Sequence, residues 1–253
     1  MVGWRERGAP VRRVEPATTI TPVILMLGPR LAIDGEPLGS FAAGPYLRPV
    51  TTEHAGDQQG IQIDLEPLIA RRLLGVPMHE LTGRCVALED LIGGEFTNRV
   101  ADVQDWAERF ARLEHALAAR LAAAPPARPE LRWAVGRVLA SGGLIRVEDL
   151  ARELGWSRRH LGALFREATG MAPKAFARLV RFEATLERVR RGEPLTDVAY
   201  AAGFADQAHL NRDFREFTGL TPTSYLRRIE DPKILGVAAD EVAFVQDGNA
   251  AAA

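Results

Sequence analysis

Phe165-Arg166-Glu167-Ala168-Thr169-Gly170 recurs 49 residues further on as Phe214-Arg215-Glu216-Phe217-Thr218-Gly219. Each copy is followed three residues later by a proline, Pro173 and Pro222. Upstream, Leu150-Ala151-Arg152-Glu153-Leu154-Gly155 matches Val198-Ala199-Tyr200-Ala201-Ala202-Gly203, both with Ala, three residues, then Gly. Each copy reads as a short helix, a glycine turn, a second helix, a glycine stop and a proline start. Two short helices crossing steeply need a small residue where they touch, which Ala151 and Ala199 supply. A sharp turn needs positive φ, which Gly155 and Gly203 tolerate. Ser157 suits the N-cap of one second helix, and Asp206 that of the other. Leu161, Leu164 and Phe165 form one apolar stripe, and Leu210, Phe214 and Phe217 the other. Gly170 and Gly219 sit where a helix ends. This is a tandem helix-turn-helix pattern, whose second helices are built to enter a DNA major groove. Two units are too few for a solenoid.

The 253 residues suggest two domains. Pro125, Pro126 and Pro129 mark residues 125–129 as a linker, since prolines this dense cannot continue a helix. Before the linker, Trp106, Phe110, Leu113, Leu117 and Leu121 share one helical face. Earlier still, Thr18–Leu27 is rich in strand formers. Leu31 and Ile33 alternate before the Asp34-Gly35 turn, and Gly60–Leu65 alternates as a half-buried strand does. Pro67 opens a short helix to Leu74, stopped by Gly75 and Pro77. The expected fold class is α+β: a strand-rich domain with helices over 1–124 and an all-α domain over 130–229. An acidic, flexible tail is expected over 230–253.

The net charge of −1 argues at first against a nucleic-acid partner, whose footprint on a protein is basic. Divided at these boundaries, it averages unlike parts. Residues 1–129 carry 14 basic and 16 acidic side chains, residues 130–229 carry 17 and 12, and residues 230–253 carry one and five. The helical domain is therefore basic, at +5, between acidic neighbours. Lone Cys85 excludes an internal disulfide framework and cysteine-rich zinc modules. Neither a signal peptide nor a membrane-spanning apolar run is legible, which predicts a cytoplasmic protein without a membrane partner.

Residues 130–229 resemble the DNA-binding domain of AraC/XylS-type transcriptional regulators. The resemblance runs through Leu150–Ser157, Leu164-Phe165-Arg166, Arg181-Phe182-Glu183-Ala184 and Asp197-Val198-Ala199. It continues through Ala202-Gly203-Phe204, Asp206-Gln207, Arg212-Asp213-Phe214 and Gly219-Leu220-Thr221-Pro222-Thr223-Ser224-Tyr225. It covers about 100 of the 253 residues. It implies seven helices, with the two units joined by a long helix, here about Lys174–Arg190 and ~25 Å long at 1.5 Å per residue. With its flanking turns, that helix suits reading heads about one DNA turn apart, ~34 Å, in two successive major grooves of double-stranded DNA.

The resemblance places base readers at Arg159, Gly162 and Ala163 in the first unit, with Arg158 beside them. Glycine and alanine offer no side-chain hydrogen bond to a base, which leaves Arg159 as the polar reader there. In the second unit Gln207, Asn211 and Arg212 face the same way around Ala208. Asn and Gln pair with adenine and Arg with guanine, so richer readout is expected there. Arg166 and Arg215 are read as phosphate contacts or ion pairs. Arg181 is expected to make a core-side ion pair, Trp133 and Trp156 to be core residues, and His160 and His209 to bond locally on the helix surface.

The N-terminal half resembles the sensor and dimerisation domain of such regulators, often a cupin-like β-barrel. Its implied partners are a small-molecule effector, a second copy of the chain or RNA polymerase. Arg48 and His54 are read as surface residues, with a pocket as the alternative. Metal-ligand spacings are missing among the five histidines, and no phosphate loop or nucleophile elbow occurs. No catalytic residue, cofactor or metal is expected. Cys85 lacks an activating histidine nearby and reads as structural. Three functions remain: a ligand-controlled regulator, preferred here; a regulator whose N-terminal half only dimerises or contacts partners; and an enzyme or alkyl-sensor fused to a DNA-binding domain.

Overall fold

Alternating side chains build the N-terminal half. The computed structural model describes residues 1–230 and 241–245. Strands β1 (Val2–Arg7), β2 (Val11–Glu15), β3 (Thr21–Met26), β4 (Leu31–Ile33), β5 (Glu36–Leu38), β6 (Phe41–Ala43), β7 (Val50–His54), β8 (Gln58–Leu65), β9 (Cys85–Ala87) and β10 (Glu241–Val245) form two antiparallel sheets. One runs β10-β1-β8-β3-β6-β9 and the other β2-β7-β4-β5. The alternation in β8 sends Ile61, Ile63 and Leu65 to one face, where they join Val23 and Leu25 of β3 in a buried cluster. Helices α1 (Pro67–Leu74), α2 (Leu88–Ile92), α3 (Gly94–Ala101) and α4 (Trp106–Ala123) cover that face. Gln62 and Asp64 point the other way, into a cavity between the sheets.

The linker is followed by α5 (Pro129–Ala140), α6 (Val147–Glu153), α7 (Arg158–Thr169), α8 (Pro173–Arg190), α9 (Leu195–Ala201), α10 (Gln207–Thr218) and α11 (Pro222–Glu230). These are seven helices, as the resemblance implies. Pro129, the last residue expected in the linker, is instead the first residue of α5, where its missing N–H costs nothing. Of the expected tail, residues 231–240 and 246–253 lie outside the described residues. Glu241–Val245 departs from the looseness expected: it pairs with β1, from Gly3↔Val245 to Arg7↔Glu241. A strand edge offers unpaired backbone groups, and these five residues satisfy them.

Both helix-turn-helix units are built alike. Gly155 and Gly203 turn with φ of 67° and 66°. Ser157 Oγ accepts from the His160 N–H at 3.1 Å, and Asp206 Oδ1 from the His209 N–H at 2.7 Å. Thr169 and Thr218 close the second helices by donating to the carbonyls of Phe165 and Phe214, at 2.8 and 2.7 Å. Helix α8 serves both cores: Phe176 packs edge-on to Phe165 (5.4 Å between centroids), and Phe182 edge-on to Phe214 (5.6 Å). Its 18 residues span about 27 Å.

The two halves also touch. Ala17, in the segment between β2 and β3, is buried in the helical domain's core, and its N–H donates to the Phe217 carbonyl at 2.9 Å. Thr18 Oγ1, the Thr19 N–H and Thr19 Oγ1 all donate to the Glu183 carboxylate of α8, at 2.8, 2.7 and 2.9 Å. Thr82 Oγ1 donates to the Gly170 carbonyl at 2.8 Å, and Arg71 pairs with Glu167 at 3.4 Å.

Candidate nucleic-acid interface and interdomain cavity

The repeat places the candidate readers in register. Shifting by 49 residues carries Arg158 onto Gln207, Arg159 onto Ala208, Gly162 onto Asn211, Ala163 onto Arg212 and Arg166 onto Arg215. From Arg159 to Arg166, and from Ala208 to Arg215, the helical steps of three and four make one face, opposite the buried Leu161–Phe165 and Leu210–Phe214–Phe217 stripes. Arg159, Ala163, Arg166, Gln207, Ala208, Arg212 and Arg215 are exposed. Among the described residues none of Arg159, Arg166, Arg212 and Arg215 has an acidic partner within 4.0 Å. Arg158 does, pairing with Glu148 at 3.2 Å.

Gly162 is half-buried, but a Cβ built on it meets nothing within 4 Å. Packing within the chain therefore does not require glycine there. Asn211 is half-buried too, and its Oδ1 faces no donor among the described residues. His160 and His209 occupy matching places as well: each stands edge-on to an aromatic ring of its turn, Trp156 at 4.9 Å and Phe204 at 5.1 Å. Trp156 is half-buried, whereas Trp133 is 37% exposed under the Arg137 guanidinium. The core role expected for Trp133 does not hold, because α5 turns it to the surface.

The second unit is held on α8 by an ion network. Arg178 donates to both oxygens of Asp213, at 3.0 and 2.9 Å, and also to Glu216. Arg181 reaches Asp213 at 3.3 Å, as expected of a core-side ion pair, and lies over the Phe204 ring. Arg178 was not legible as a network centre, because its partners lie 35 and 38 residues away. The N-terminal domain docks at the C-terminal ends of α7 and α10, through Gly170 and Phe217. The positions suited to base edges, Arg159–Ala163 and Gln207–Arg212, lie on the earlier turns of the same helices, whereas Arg166 and Arg215 stand in their last turns.

The cavity between the sheets measures about 760 Å³. Its wall alternates along several strands: Val2, Trp4 and Glu6 from β1, Arg13 and Glu15 from β2, Val50, Thr52 and His54 from β7. Pro16, Ala17 and Thr18 of the docking segment line it, and so does Arg190 from the end of α8. Both His54 and Arg48 line it; Arg48 remains exposed, as the surface reading expects, and only His54 corrects that reading. His54 is only 8% exposed because β7 turns it inward toward Glu6. Cys85 lies 3.6 Å from the Tyr46 hydroxyl, and burial pushes its thiol up, away from the reactive thiolate. Among the described residues no His, Cys, Asp and Glu cluster could hold a metal, and no helix is long and apolar enough to cross a membrane.

A family model described as "Helix-turn-helix domain" matches residues 150–228. Residues 150–228 are a helix-turn-helix domain of the AraC type. The AraC-type domain thus begins in α6 and ends in α11, taking in both units and α8. The regulatory protein ada of Salmonella typhimurium is 34% identical over 76 residues, which are 30% of this chain and 22% of that protein. An uncharacterized HTH-type transcriptional regulator of Bacillus subtilis, YbfI, is 30% identical over 66 residues, 26% of this chain and 24% of that one. The chain spans about a quarter of the length of these curated relatives. Among solved structures, ToxT from Vibrio cholerae O395 is 11% identical with a TM-score of 0.49, over 90% of this chain and 96% of that one.

Proposed function

We propose that this protein is a cytoplasmic, sequence-specific DNA-binding transcription regulator, not an enzyme, and that its N-terminal domain places DNA binding under the control of a small ligand. The observation that carries the DNA reading is the pair of register-matched, exposed faces on α7 and α10, with four arginines free of acidic partners among the described residues. Arg166 and Arg215, at equivalent positions late on those faces, suit phosphates. Arg159, Gln207, Asn211 and Arg212 suit base edges. Gly162 and Ala163 offer a groove only close approach and a methyl contact. The second unit thus carries more of the discrimination.

A selected-oligonucleotide binding experiment on the full chain tests this. Sequence-selective binding is expected, with affinity falling as salt rises at a log–log slope of about −0.9 per neutralised phosphate. Gln207→Ala and Arg212→Ala should each relax preference at a single base position by about 1–3 kcal/mol. Arg215→Ala should instead weaken all sequences alike and reduce the slope by about one. Binding with neither salt dependence nor sequence preference overturns the reading.

Ligand control is supported by the segment that is cavity wall and interdomain contact at once. Pro16, Ala17 and Thr18 line the cavity, while Ala17, Thr18 and Thr19 hydrogen-bond to α10 and α8. A ligand that displaces this wall displaces the contact that positions the second unit. Glu183→Ala removes the acceptor of three hydrogen bonds. Amide exchange at Ala17 and Thr19 should rise about tenfold or more, the core amides of α8 staying protected. Unchanged exchange at both residues removes the segment as the coupling element.

A further inference from the structure

The cavity wall carries six charged groups besides His54, and among the described residues all but one of them have partners. Glu6 receives Arg13 at 2.5 Å and faces His54 Nε2 at 3.3 Å. Arg48 is bound to Asp34 at 2.8 Å, and Asp64 accepts from Gln62 at 2.8 Å. Arg190 donates to Glu187 at 3.1 Å and, twice, to the Tyr225 hydroxyl. Glu15 has no hydrogen-bond or ion-pair partner among the described residues. Its side chain keeps much of its surface accessible, yet protein surrounds it so closely that burial pushes its carboxyl up. Glu15 is one of the residues that line the cavity. Arg13 and Arg190 pull the carboxyl back from a distance, but each already has an acid of its own.

Trp4, Ile24, Leu31 and Phe41 give the wall an apolar and aromatic part, and Thr18, Thr52, Gln58 and Gln62 are among its uncharged polar groups. A volume of about 760 Å³ is of the size that small-molecule sites have. We propose that this cavity binds an organic amine in its protonated form, with an aromatic or aliphatic body against Trp4 and Phe41 and the ammonium on Glu15. The proposal rests on the ligand-control reading and names its ligand class. An ammonium supplies the charge and the donors that Glu15 lacks. The aromatic rings present faces that attract cations. A carboxylate ligand would meet arginines that Glu6 and Glu187 already occupy, and Glu15 would repel it. A neutral alcohol would leave the Glu15 charge uncompensated.

Three probes share an indole body and differ in their head group: tryptamine, tryptophol and indoleacetic acid. Calorimetric titration and thermal shift on the full chain should show tryptamine binding more tightly than the other two by about tenfold or more. Glu15→Gln keeps the side chain's size and should remove that preference, with Glu36→Gln as the control that keeps it. Indoleacetic acid binding more tightly than tryptamine overturns the amine class and leaves ligand control standing. None of the three binding overturns the amine site, while operator binding decides the DNA reading separately. Tryptamine binding unchanged in folded Glu15→Gln also overturns it. Should that variant fail to fold, the head-group preference of the unsubstituted protein decides the matter.

Discussion

Asp213→Ala is expected to lower the unfolding free energy of the helical domain by about 3 kcal/mol, read as a shift in urea midpoint at unchanged slope. Asp213 is 4% exposed and accepts from two arginines of α8. Its removal leaves Arg181, whose side chain is 19% exposed, facing only an aromatic ring among the described residues, with its Nε still unpartnered there. A cation in that position keeps its desolvation cost and loses its compensation. Arg178 suffers less, because Glu216 still holds it and a third of it reaches solvent. The value therefore belongs near the lower end for a broken buried pair. Asp213→Asn retains the shape and one acceptor oxygen, and should cost about half as much. The alanine variant should also weaken operator binding more than its distance from the reader face suggests, since the network orients α10 on α8. A loss below about 1 kcal/mol would mean that solvent screens the network and that the Phe182–Phe214–Phe217 cluster alone seats the second unit.

Gly143→Ala should destabilise by about 3 kcal/mol or more, whereas Gly142→Ala should cost about 1 kcal/mol. Both residues lie in the turn between α5 and α6, with φ of 75° and 58°, so both substitutions carry the penalty of a left-handed backbone. They differ in what the new methyl meets. At Gly142 it meets nothing within 4 Å. At Gly143 it would lie 2.0 Å from the Ala177 carbonyl oxygen and 2.8 Å from the Arg181 nitrogen, both backbone atoms of α8. A helix backbone cannot yield as the end of a flexible side chain can, so the turn and α8 must separate. Chemical denaturation of the two variants side by side isolates the contact from the dihedral cost. Equal losses would show that the turn relaxes without disturbing α8.

Much of the reader domain was legible because its signals are local. The cap-and-stop grammar of Ser157, Gly170, Asp206 and Gly219 acts within one turn of its own helix, and the 49-residue recurrence repeats it. The short helix Pro67–Leu74 and the hairpin at Asp34-Gly35 were legible for the same reason. His54 was read as a surface residue, since strand alternation tells which residues share a face but not whether that face meets solvent or a second sheet. Nothing in Ser141-Gly142-Gly143 distinguishes its two glycines; only the approach of α8 does. Glu183 stands out in Arg181-Phe182-Glu183-Ala184, yet its partners Thr18 and Thr19 lie more than 160 residues away.

The sequence by itself determined two helix-turn-helix units, the helix that joins them and the exposed residues each presents. Helix caps, turn dihedrals and amphipathic spacing are short-range, and two copies corroborate each other. Only the tertiary structure decided that Pro16–Thr18 is at once cavity wall and interdomain contact, that Arg178 and Arg181 converge on Asp213, and that Glu15 stands without a partner among the described residues. Those facts depend on which charges meet across long stretches of chain and which remain alone once the domain closes around them. No local pattern records either, because desolvation and ion pairing are properties of the assembled interior.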